Sequence, residues 1–255
     1  MKKHRKHREI FSALSSATRD LLFPPRCVGC DDLLPPFAKR VTVFCPLCHA
    51  AWETATSEAT TDAATDGEQG LIYLVHYRSG HGDGVPEKLI YHLKHRGDPR
   101  AFAFVAERLI PRLLQTPAIA TLETGEGDKP LLLTYPPRNR SAVNLDGFDQ
   151  AERLAKAMAR VCGGEFASLI KRTHRRTAEQ KTLNSSERAT NAATAYRLAE
   201  RASEIVRGRT VVICDDLCTT GATLNRCAEL LVDAGAKSVI RCTVAKTAEV
   251  RKKHT

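Results

Sequence analysis

Aromatic residues and long apolar runs are both scarce in this chain. Only 5% of its 255 residues are aromatic, and it contains a single tryptophan. No apolar run comes near the roughly 20 residues that a membrane-spanning helix needs. Ser12, Ser15 and Ser16 interrupt the apolar residues that follow the basic start of the chain, which argues against a secretory signal. We therefore expect a cytoplasmic protein with no stable membrane insertion.

Acidic charge is also in the minority. The formal net charge is +10, and eight of the basic residues lie in two short tails. These residues are Lys2, Lys3, Arg5, Lys6, Arg8, Arg251, Lys252 and Lys253. Setting the eight aside leaves a net charge of +2 for everything else, so the charge indicates no basic face on the globular part. The tails either contact an anionic partner such as nucleic acid or are solvated ends.

Four of the nine cysteines form two close pairs. Cys27 and Cys30 make one C-x-x-C pair, and Cys45 and Cys48 make the second. Two such pairs at this separation are typical of a tetrahedral site of the zinc-ribbon type, because four thiolates satisfy Zn²⁺ and leave no open position. Free thiols or disulfides are the alternative, although a reducing cytoplasm disfavours disulfides. The sequence thus predicts a structural Zn²⁺ site at these four residues.

Composition divides the chain into five segments. A basic tail with a short amphipathic helix (1–23) precedes the cysteine module (24–52). The next segment, 53–70, has several acids and no large apolar residue, which predicts a flexible linker. The main domain is expected at 71–247, and a basic tail (248–255) follows it.

Alternating strand and helix patterns in the main domain predict an α/β fold. Stretches rich in β-branched residues are expected to form strands, and stretches with apolar residues at helical spacing are expected to form helices. The strands fall at 71–77, 131–134, 210–214 and 238–245, and the helices at 85–96, 100–114, 147–161 and 222–234. This alternation favours a parallel sheet flanked by helices, with the cysteine module as a small zinc-ribbon-like addition.

One stretch, 211–223, combines several chemical signals. It reads V-V-I-C-D-D-L-C-T-T-G-A-T, so a buried strand leads to an acidic pair, a turn rich in hydroxyls and then a helix. Backbone N–H groups in a turn that opens into a helix form an anion site, which the helix dipole strengthens. Two carboxylates beside it can hold Mg²⁺ or accept hydrogen bonds from sugar hydroxyls. The stretch therefore predicts a site for a phosphorylated sugar at the carboxyl end of a strand.

Basic residues follow two other predicted elements. Arg138 and Arg140 come directly after the strand at 131–134, where they either bind pyrophosphate oxygens bidentately or form a solvated turn. The sequence K-H-R-G at 94–97 ends a predicted helix. This second group is either an ordinary C-terminal helix cap or an anion-facing cluster, and the sequence leaves both interpretations open.

The stretch 211–223 resembles the phosphoribosyl pyrophosphate (PRPP) signature of type I phosphoribosyltransferases. The resemblance implies that Asp215 and Asp216 form the catalytic acidic pair, which engages the ribose hydroxyls of PRPP bound with Mg²⁺. It also implies which residues hold the 5′-phosphate. These are Thr219, Thr220, Gly221, Ala222 and Thr223. The fold implied is the type I phosphoribosyltransferase-like parallel sheet.

The order of landmarks along 24–245 narrows the resemblance to the ComF family and the related GntX-type proteins. The landmarks are the two C-x-x-C pairs, L-K-H-R-G-D, G-F-D-Q-A, Q-x-x-L with R-x-x-N, and D-D-x-x-T-T-G-A-T. This resemblance implies a link to DNA uptake in competent bacteria. Asp146 stands where the family usually has arginine, and Asp149 where it usually has asparagine. Two additional acids therefore lie near the expected pyrophosphate.

The first functional hypothesis is a phosphoribosyl transferase. The chain would bind PRPP with Mg²⁺, transfer the phosphoribosyl group to an unidentified nitrogen acceptor and release pyrophosphate. The basic segment 171–176, which includes Lys171 and Arg172, would close with Arg188 over the pyrophosphate as a water-excluding lid. Arg138 and Arg140 would bind the same group.

The alternative hypothesis is a binding module that is not an enzyme. The PRPP-type pocket would then belong to a protein that contacts single-stranded DNA or a helicase partner through the cysteine module and the basic tails. Trp52 and Phe44 are the few aromatic candidates for stacking on bases. The sequence identifies neither the acceptor of the first hypothesis nor the oligomeric state.

Overall fold

The computed structural model describes residues 24–35, 42–63, 70–78, 83–120, 130–173 and 195–248. Several sequence-based predictions lie outside these ranges. They are the amino-terminal helix, the acidic segment 64–69, the lid residues 174–176 with Arg188, and most of the carboxyl-terminal tail. Each of these stays a prediction.

Helices and strands alternate through most of the described chain. The helices are α1 (Pro46–Ala63), α2 (Val85–Tyr91), α3 (Pro99–Leu114), α4 (Pro117–Ala120), α5 (Arg140–Asp146), α6 (Gln150–Cys162), α7 (Ala202–Val206) and α8 (Ala222–Asp233). The strands are β1 (Leu71–Ile72), β2 (Val75–Tyr77), β3 (Leu132–Thr134), β4 (Glu165–Phe166), β5 (Ile170–Arg172), β6 (Tyr196–Leu198), β7 (Thr210–Cys218) and β8 (Ser238–Thr247). A π-helical turn, His92–Arg96, continues α2 directly. Among the described helices, none has both the length and the apolar character of a bilayer crossing.

The main sheet is parallel throughout, as predicted. β1 and β2 both pair with β8, which is followed by β7, β3 and β4. β7 and β8 are the longest strands and pair as far as Cys218 and Lys246. β3 ends at Thr134 opposite Ile213, so the last part of β7 projects beyond it. Because the carboxyl ends of parallel strands meet at one edge of a sheet, the end of β7 and the residues after β3 share that edge.

Two apolar cores cover the two faces of the sheet. Val212 and Cys214 of β7 belong to the core that contains α3 and α6, whereas Val211 and Ile213 belong to the core that contains α7 and α8. All four side chains are fully buried, as a continuous β-branched run in a parallel sheet predicts. β5 and β6 form a separate antiparallel hairpin that packs against the second core.

The predicted flexible linker at 53–70 is wrong for residues 53–63. These residues belong to α1, which continues to Ala63, and Ala59 is buried. Alanine favours the helix, and the Thr54 hydroxyl donates to the carbonyl one turn earlier at 3.1 Å, so the polar residues do not end it. A helix of small residues can pack closely without large apolar side chains, which is why the composition was misleading.

Three of the few aromatic side chains join the cysteine module to the main domain. The Trp52 ring lies 5.8 Å from the Phe44 ring and 5.5 Å from the Phe104 ring of α3. Trp52 is 0% exposed and Phe44 is 4% exposed. The prediction that these two rings stack on bases is therefore wrong, because neither ring is accessible to a nucleic acid.

A hydrogen bond also joins the cysteine module to α2. Lys88 Nζ donates to the Gly29 carbonyl oxygen at 2.9 Å. Gly29 has no room for a side chain, since a Cβ atom there would lie 2.6 Å from the Cys48 sulfur. The cysteine module and the main domain thus share one core instead of forming two units joined by a linker.

We expect Trp52→Ala to lower the free energy of unfolding of the whole chain by about 3–5 kcal/mol, because it removes a fully buried aromatic side chain. Urea titration followed by circular dichroism measures this change. Leu47→Ala is the matched control on the same helix, since Leu47 is 84% exposed and its truncation should cost less than about 0.5 kcal/mol. Equal effects of the two substitutions would contradict the shared core.

Candidate functional site

Asp215 and Asp216 lie inside β7, not after its end. The prediction that the strand stops at Cys214 is wrong, because β8 continues to pair with β7 up to Cys218. The two carboxylates still stand beyond the end of β3, whose last residue lies opposite Ile213. The extension of β7 therefore carries the acidic pair to the carboxyl edge of the sheet.

Asp216 is a buried carboxylate with two polar neighbours. Its Oδ1 accepts a hydrogen bond from Gln150 Nε2 at 3.4 Å, and its Oδ2 lies 3.4 Å from Lys94 Nζ in an ion pair. Asp216 is 5% exposed and Gln150 is 4% exposed. Among the described residues, neither Asp216 Oδ2 nor Gln150 Oε1 has a hydrogen-bond partner. Buried acceptors are rarely left unpaired, so these two oxygens mark an incomplete polar site.

Asp215 differs from its neighbour in its contacts. Its Oδ1 accepts a hydrogen bond from the Asp216 backbone N–H at 2.9 Å. Burial, followed by the charge of Asp216, raises the pKa of Asp215 well above that of an ordinary carboxyl group. Both effects favour the neutral form of Asp215, as expected for a buried carboxyl group beside another carboxylate.

The hydroxyl-rich turn forms a small cleft at the start of α8. The cleft measures about 50 Å³. It is lined by Asp215, Leu217, Cys218, Thr219, Thr220, Gly221, Ala222, Thr223 and Leu224. Gly221 is the N-cap of α8 and has a left-handed φ of 74°, which glycine adopts without steric cost. The structure therefore brings Asp215 and the predicted phosphate turn together in one cleft.

Asp146 contacts two basic side chains at the same edge. Arg138 Nη1 donates to its Oδ2 at 2.8 Å, and its Oδ1 lies 3.0 Å from His95 Nδ1. These contacts, His95 first and then Arg138, lower the pKa of Asp146. The negative charge of Asp146, which would repel pyrophosphate, is thus compensated. The same contact engages the side chain of Arg138, the predicted pyrophosphate ligand.

Asp149 is used as a helix cap. Its Oδ1 accepts hydrogen bonds from the backbone N–H groups of Ala151 and Glu152 at the start of α6, and its Oδ2 accepts one from the Arg138 N–H at 2.8 Å. The carboxylate is 8% exposed, and burial raises its pKa despite these donors. Its charge is directed at the backbone, so Asp149 holds the segment after β3 against the amino terminus of α6.

The side chains of the other predicted basic ligands differ in their contacts. Arg140 is exposed at the start of α5, and Lys171 is exposed on β5; neither side chain has an ion pair or hydrogen bond within the described ranges. Arg172 Nη1 donates to the Tyr196 hydroxyl at 3.1 Å across the β5–β6 hairpin. Burial raises the pKa of Tyr196, while Arg172 and the Thr223 side chain lower it. Tyr196 therefore links the hairpin to the phosphate turn.

Lys94, Gln150 and Tyr196 are the residues that sequence reasoning did not assign to the site. In the K-H-R-G segment the helix-cap interpretation is confirmed, whereas a role toward a bound anion stays a prediction. Gly97 caps the π-helical turn with a left-handed φ of 62°, and Lys94 nevertheless reaches Asp216. The G-F-D-Q-A landmark contained Gln150, but nothing in the pattern indicated its partner.

The four cysteines form one cluster that can hold a metal ion. Their sulfur atoms all lie within 4.8 Å of one another. A tetrahedral site with Zn–S distances of about 2.3 Å places sulfurs roughly 3.8 Å apart, so the spacing fits. The Cys27 sulfur accepts backbone N–H groups from Gly29 at 3.4 Å and Cys45 at 3.2 Å, which stabilises a thiolate. The pKa of Cys45 is lowered to about 7, mainly by a hydrogen bond from the Cys48 backbone.

Comparisons with known proteins agree with this site. Residues 146–255 match the family model of the phosphoribosyl transferase domain, a range that includes β7, the phosphate turn, α8 and β8. Two similar proteins, from Escherichia coli strain K12 and Shigella flexneri, are both named DNA utilization protein YhgH. Each is 36% identical over 93 residues, which cover 36% of this chain and 39% of the relative. The match thus spans about two fifths of the length of these relatives.

Solved structures with a related arrangement include two enzymes. The phosphoribosylpyrophosphate synthetase from Mycobacterium smegmatis is 19% identical, covers 56% of this chain and 33% of its own, and has a TM-score of 0.34. The adenine phosphoribosyltransferase from Thermoanaerobacter pseudethanolicus is 19% identical, covers 59% of this chain and 83% of its own, and has a TM-score of 0.35. Both scores are low, so the assignment depends on the domain match, the YhgH relatives, the parallel sheet and the order of landmarks. These observations support a phosphoribosyl transferase domain at residues 146–255, in a chain whose other landmarks resemble the ComF family.

Proposed function

We propose that the chain binds PRPP with Mg²⁺ at the carboxyl edge of the sheet and transfers its phosphoribosyl group to a nitrogen acceptor. The observation that carries this proposal is the single cleft that unites Asp215 with the T-T-G-A-T turn at the start of α8. The backbone N–H groups of the turn and the dipole of α8 suit the 5′-phosphate. The acidic pair beside them suits the ribose hydroxyls.

The residues present fit a Mg²⁺ ion that arrives with the substrate. Mg²⁺ prefers hard oxygen ligands and is commonly bound by one or two carboxylates together with substrate phosphates. Asp216 Oδ2 is a buried carboxylate oxygen without a hydrogen-bond partner in the described chain. Asp215 and Asp216 are therefore the residues proposed to face the ion, which would supply positive charge to the pyrophosphate as it leaves.

In this reaction the bond between the sugar C1 atom and the pyrophosphate oxygen breaks, and a bond from C1 to the acceptor nitrogen forms. The proton of that nitrogen is assigned to the departing pyrophosphate. The contribution of the protein is to position the substrate and to stabilise charge. Arg138 and Arg140 follow β3 at the edge where the pyrophosphate is expected. Lys171 and Arg172 lie on β5, directly before the proposed lid.

We expect wild-type protein to bind PRPP saturably and only in the presence of Mg²⁺ in a calorimetric titration. Asp215→Asn should weaken this binding at least about tenfold, which corresponds to about 1.4 kcal/mol, because it removes an acceptor beside the ribose. Asp233→Asn is the charge-matched control, since Asp233 is exposed at the far end of α8. Unchanged affinity in Asp215→Asn would show that the acidic pair is not part of the PRPP site.

The four-cysteine cluster is proposed to hold one structural Zn²⁺ ion. Soft thiolate ligands favour Zn²⁺ over Mg²⁺, and four of them leave no position for a substrate. A reducing cytoplasm, the compartment expected from the sequence, would keep these thiols available. Because Phe44 and Trp52 pack on Phe104, the ion would support the main domain as well as the module.

Metal analysis of purified protein should therefore find one equivalent of zinc per chain. Its removal with a chelator should lower the melting temperature of the whole chain in one transition, since the module and the domain share a core. Cys45→Ser should lose the zinc, whereas Cys162→Ser, which lies outside the cluster, should retain it. Full stability after complete loss of zinc would contradict a structural role.

A role in DNA uptake is the second part of the proposal. It is supported by the name of the YhgH relatives, which concerns DNA utilization. With Trp52 and Phe44 buried, a direct contact with single-stranded DNA would depend on the basic tails. The alternative function is therefore a non-catalytic module whose tails or cysteine module contact DNA or a helicase partner.

Binding of a fluorescent oligothymidylate at several salt concentrations tests this alternative. Deletion of residues 1–8 removes five basic residues and should reduce the slope of log affinity against log salt by up to about 3.5, because each phosphate contact releases counterions. The deleted protein should keep its PRPP affinity, which controls for folding. DNA binding with an unchanged salt slope after the deletion would exclude the amino-terminal tail as the contact.

A further inference from the structure

The backbone of Lys94 is held in place by its neighbours, and its side chain extends toward the acidic pair. It lies in the π-helical turn between Leu93, which is 0% exposed, and His95, whose ring contacts Asp146 at 3.0 Å. Arg153 Nη1 also donates to the Gly97 carbonyl oxygen at 2.8 Å, which secures the end of the turn. Because its neighbours are anchored on both sides, Lys94 can move through its side chain while its backbone stays in place.

The Lys94 ammonium group lies where a cation would bind the acidic pair. It is 3.4 Å from Asp216 Oδ2, and the two side chains are 28% and 8% exposed. The other carboxylate oxygen of Asp216 is held by Gln150, so Oδ2 is the oxygen left for a cation. A buried carboxylate needs such compensation, because leaving a charge unpaired in the interior is costly.

We propose that Lys94 is a built-in counter-ion that keeps divalent metal away from the acidic pair until a substrate arrives. The proposal rests on the function proposed above, in which PRPP brings Mg²⁺ to Asp215 and Asp216. Two cations cannot occupy the position beside Asp216 Oδ2 at once, since they repel each other. Binding of metal and substrate therefore displaces the Lys94 ammonium group from Asp216. The long side chain then carries its charge to the phosphate groups of the substrate.

This arrangement gives Lys94 a positioning role that a simple structural ion pair would not have. A structural pair would be needed for folding and would have no effect on the order in which metal and substrate bind. A counter-ion at the metal position makes metal binding depend on the substrate. The free protein is thereby kept from binding divalent cations on its own, and Asp216 stays neutralised between substrate encounters.

The test is a titration of zinc-loaded protein with Mn²⁺, followed by electron paramagnetic resonance. Mn²⁺ takes the same oxygen ligands as Mg²⁺ and gives a signal without any enzymatic turnover. Lys94→Met should bind Mn²⁺ at least about tenfold more tightly than wild type in the absence of PRPP, because the competing charge is removed. Addition of PRPP should tighten Mn²⁺ binding strongly in wild type and only slightly in Lys94→Met.

Two further variants test whether the change in Mn²⁺ affinity is specific to Lys94 and Asp216. Arg96→Met removes one positive charge from an exposed residue of the same turn and should leave Mn²⁺ affinity within about twofold of wild type. The double variant Lys94→Met with Asp216→Asn should lose the gained Mn²⁺ site. Circular dichroism and thermal melting establish that each variant is folded.

Equal Mn²⁺ affinity in wild type and folded Lys94→Met overturns the inference about Lys94. A gain in Arg96→Met as large as in Lys94→Met also overturns it, because the effect would then be one of general charge. Failure of the proposed function has a different signature. In that case PRPP changes Mn²⁺ binding in neither protein, while Lys94→Met still gains Mn²⁺ affinity in its absence.

Discussion

The arrangement of this site depends on the compensation of carboxylates at one edge of a parallel sheet. Asp146, Asp149, Asp215 and Asp216 all lie there, and an uncompensated buried charge would be costly. Each of these four carboxylates is compensated in a different way. Arg138 and His95 contact Asp146, and backbone N–H groups hold Asp149. Burial raises the pKa of Asp215, and Lys94 with Gln150 holds Asp216. These contacts tie α6, the segment after β3 and the π-helical turn to the end of β7.

The same contacts leave little free acidic charge at Asp146 and Asp149, the two acids near the expected pyrophosphate position. Asp146 and Asp149 would repel pyrophosphate if their charges were free. Asp149 directs its charge at the α6 backbone, and Asp146 is shared between Arg138 and His95. The consequence is that Arg138 is not free in this arrangement. Arg140, exposed on a helix with no buried residue, is the more accessible of the two predicted pyrophosphate ligands.

Local patterns predicted the parts of the site that the chain builds from neighbouring residues. The strand, acidic pair, glycine turn and helix at 210–234 follow one another, so their order was sufficient to identify them. The contacts of Asp216 were not predictable in this way, because Gln150 lies 66 residues earlier in the chain and Lys94 earlier still. Composition also failed at 53–63, where burial of Ala59 and Trp52 against the domain outweighs the polar character of the segment.

The same tertiary packing connects the cysteine cluster to the carboxyl edge of the sheet. Gly29 lies between two cysteines of the cluster, and its carbonyl oxygen accepts a hydrogen bond from Lys88 of α2. α2 runs without a break into the π-helical turn, and that turn carries Lys94 to Asp216. The cluster therefore anchors the element that supplies the cation of the acidic pair. The cysteine module therefore packs on the same core as the main domain and supports the helix that leads to Lys94.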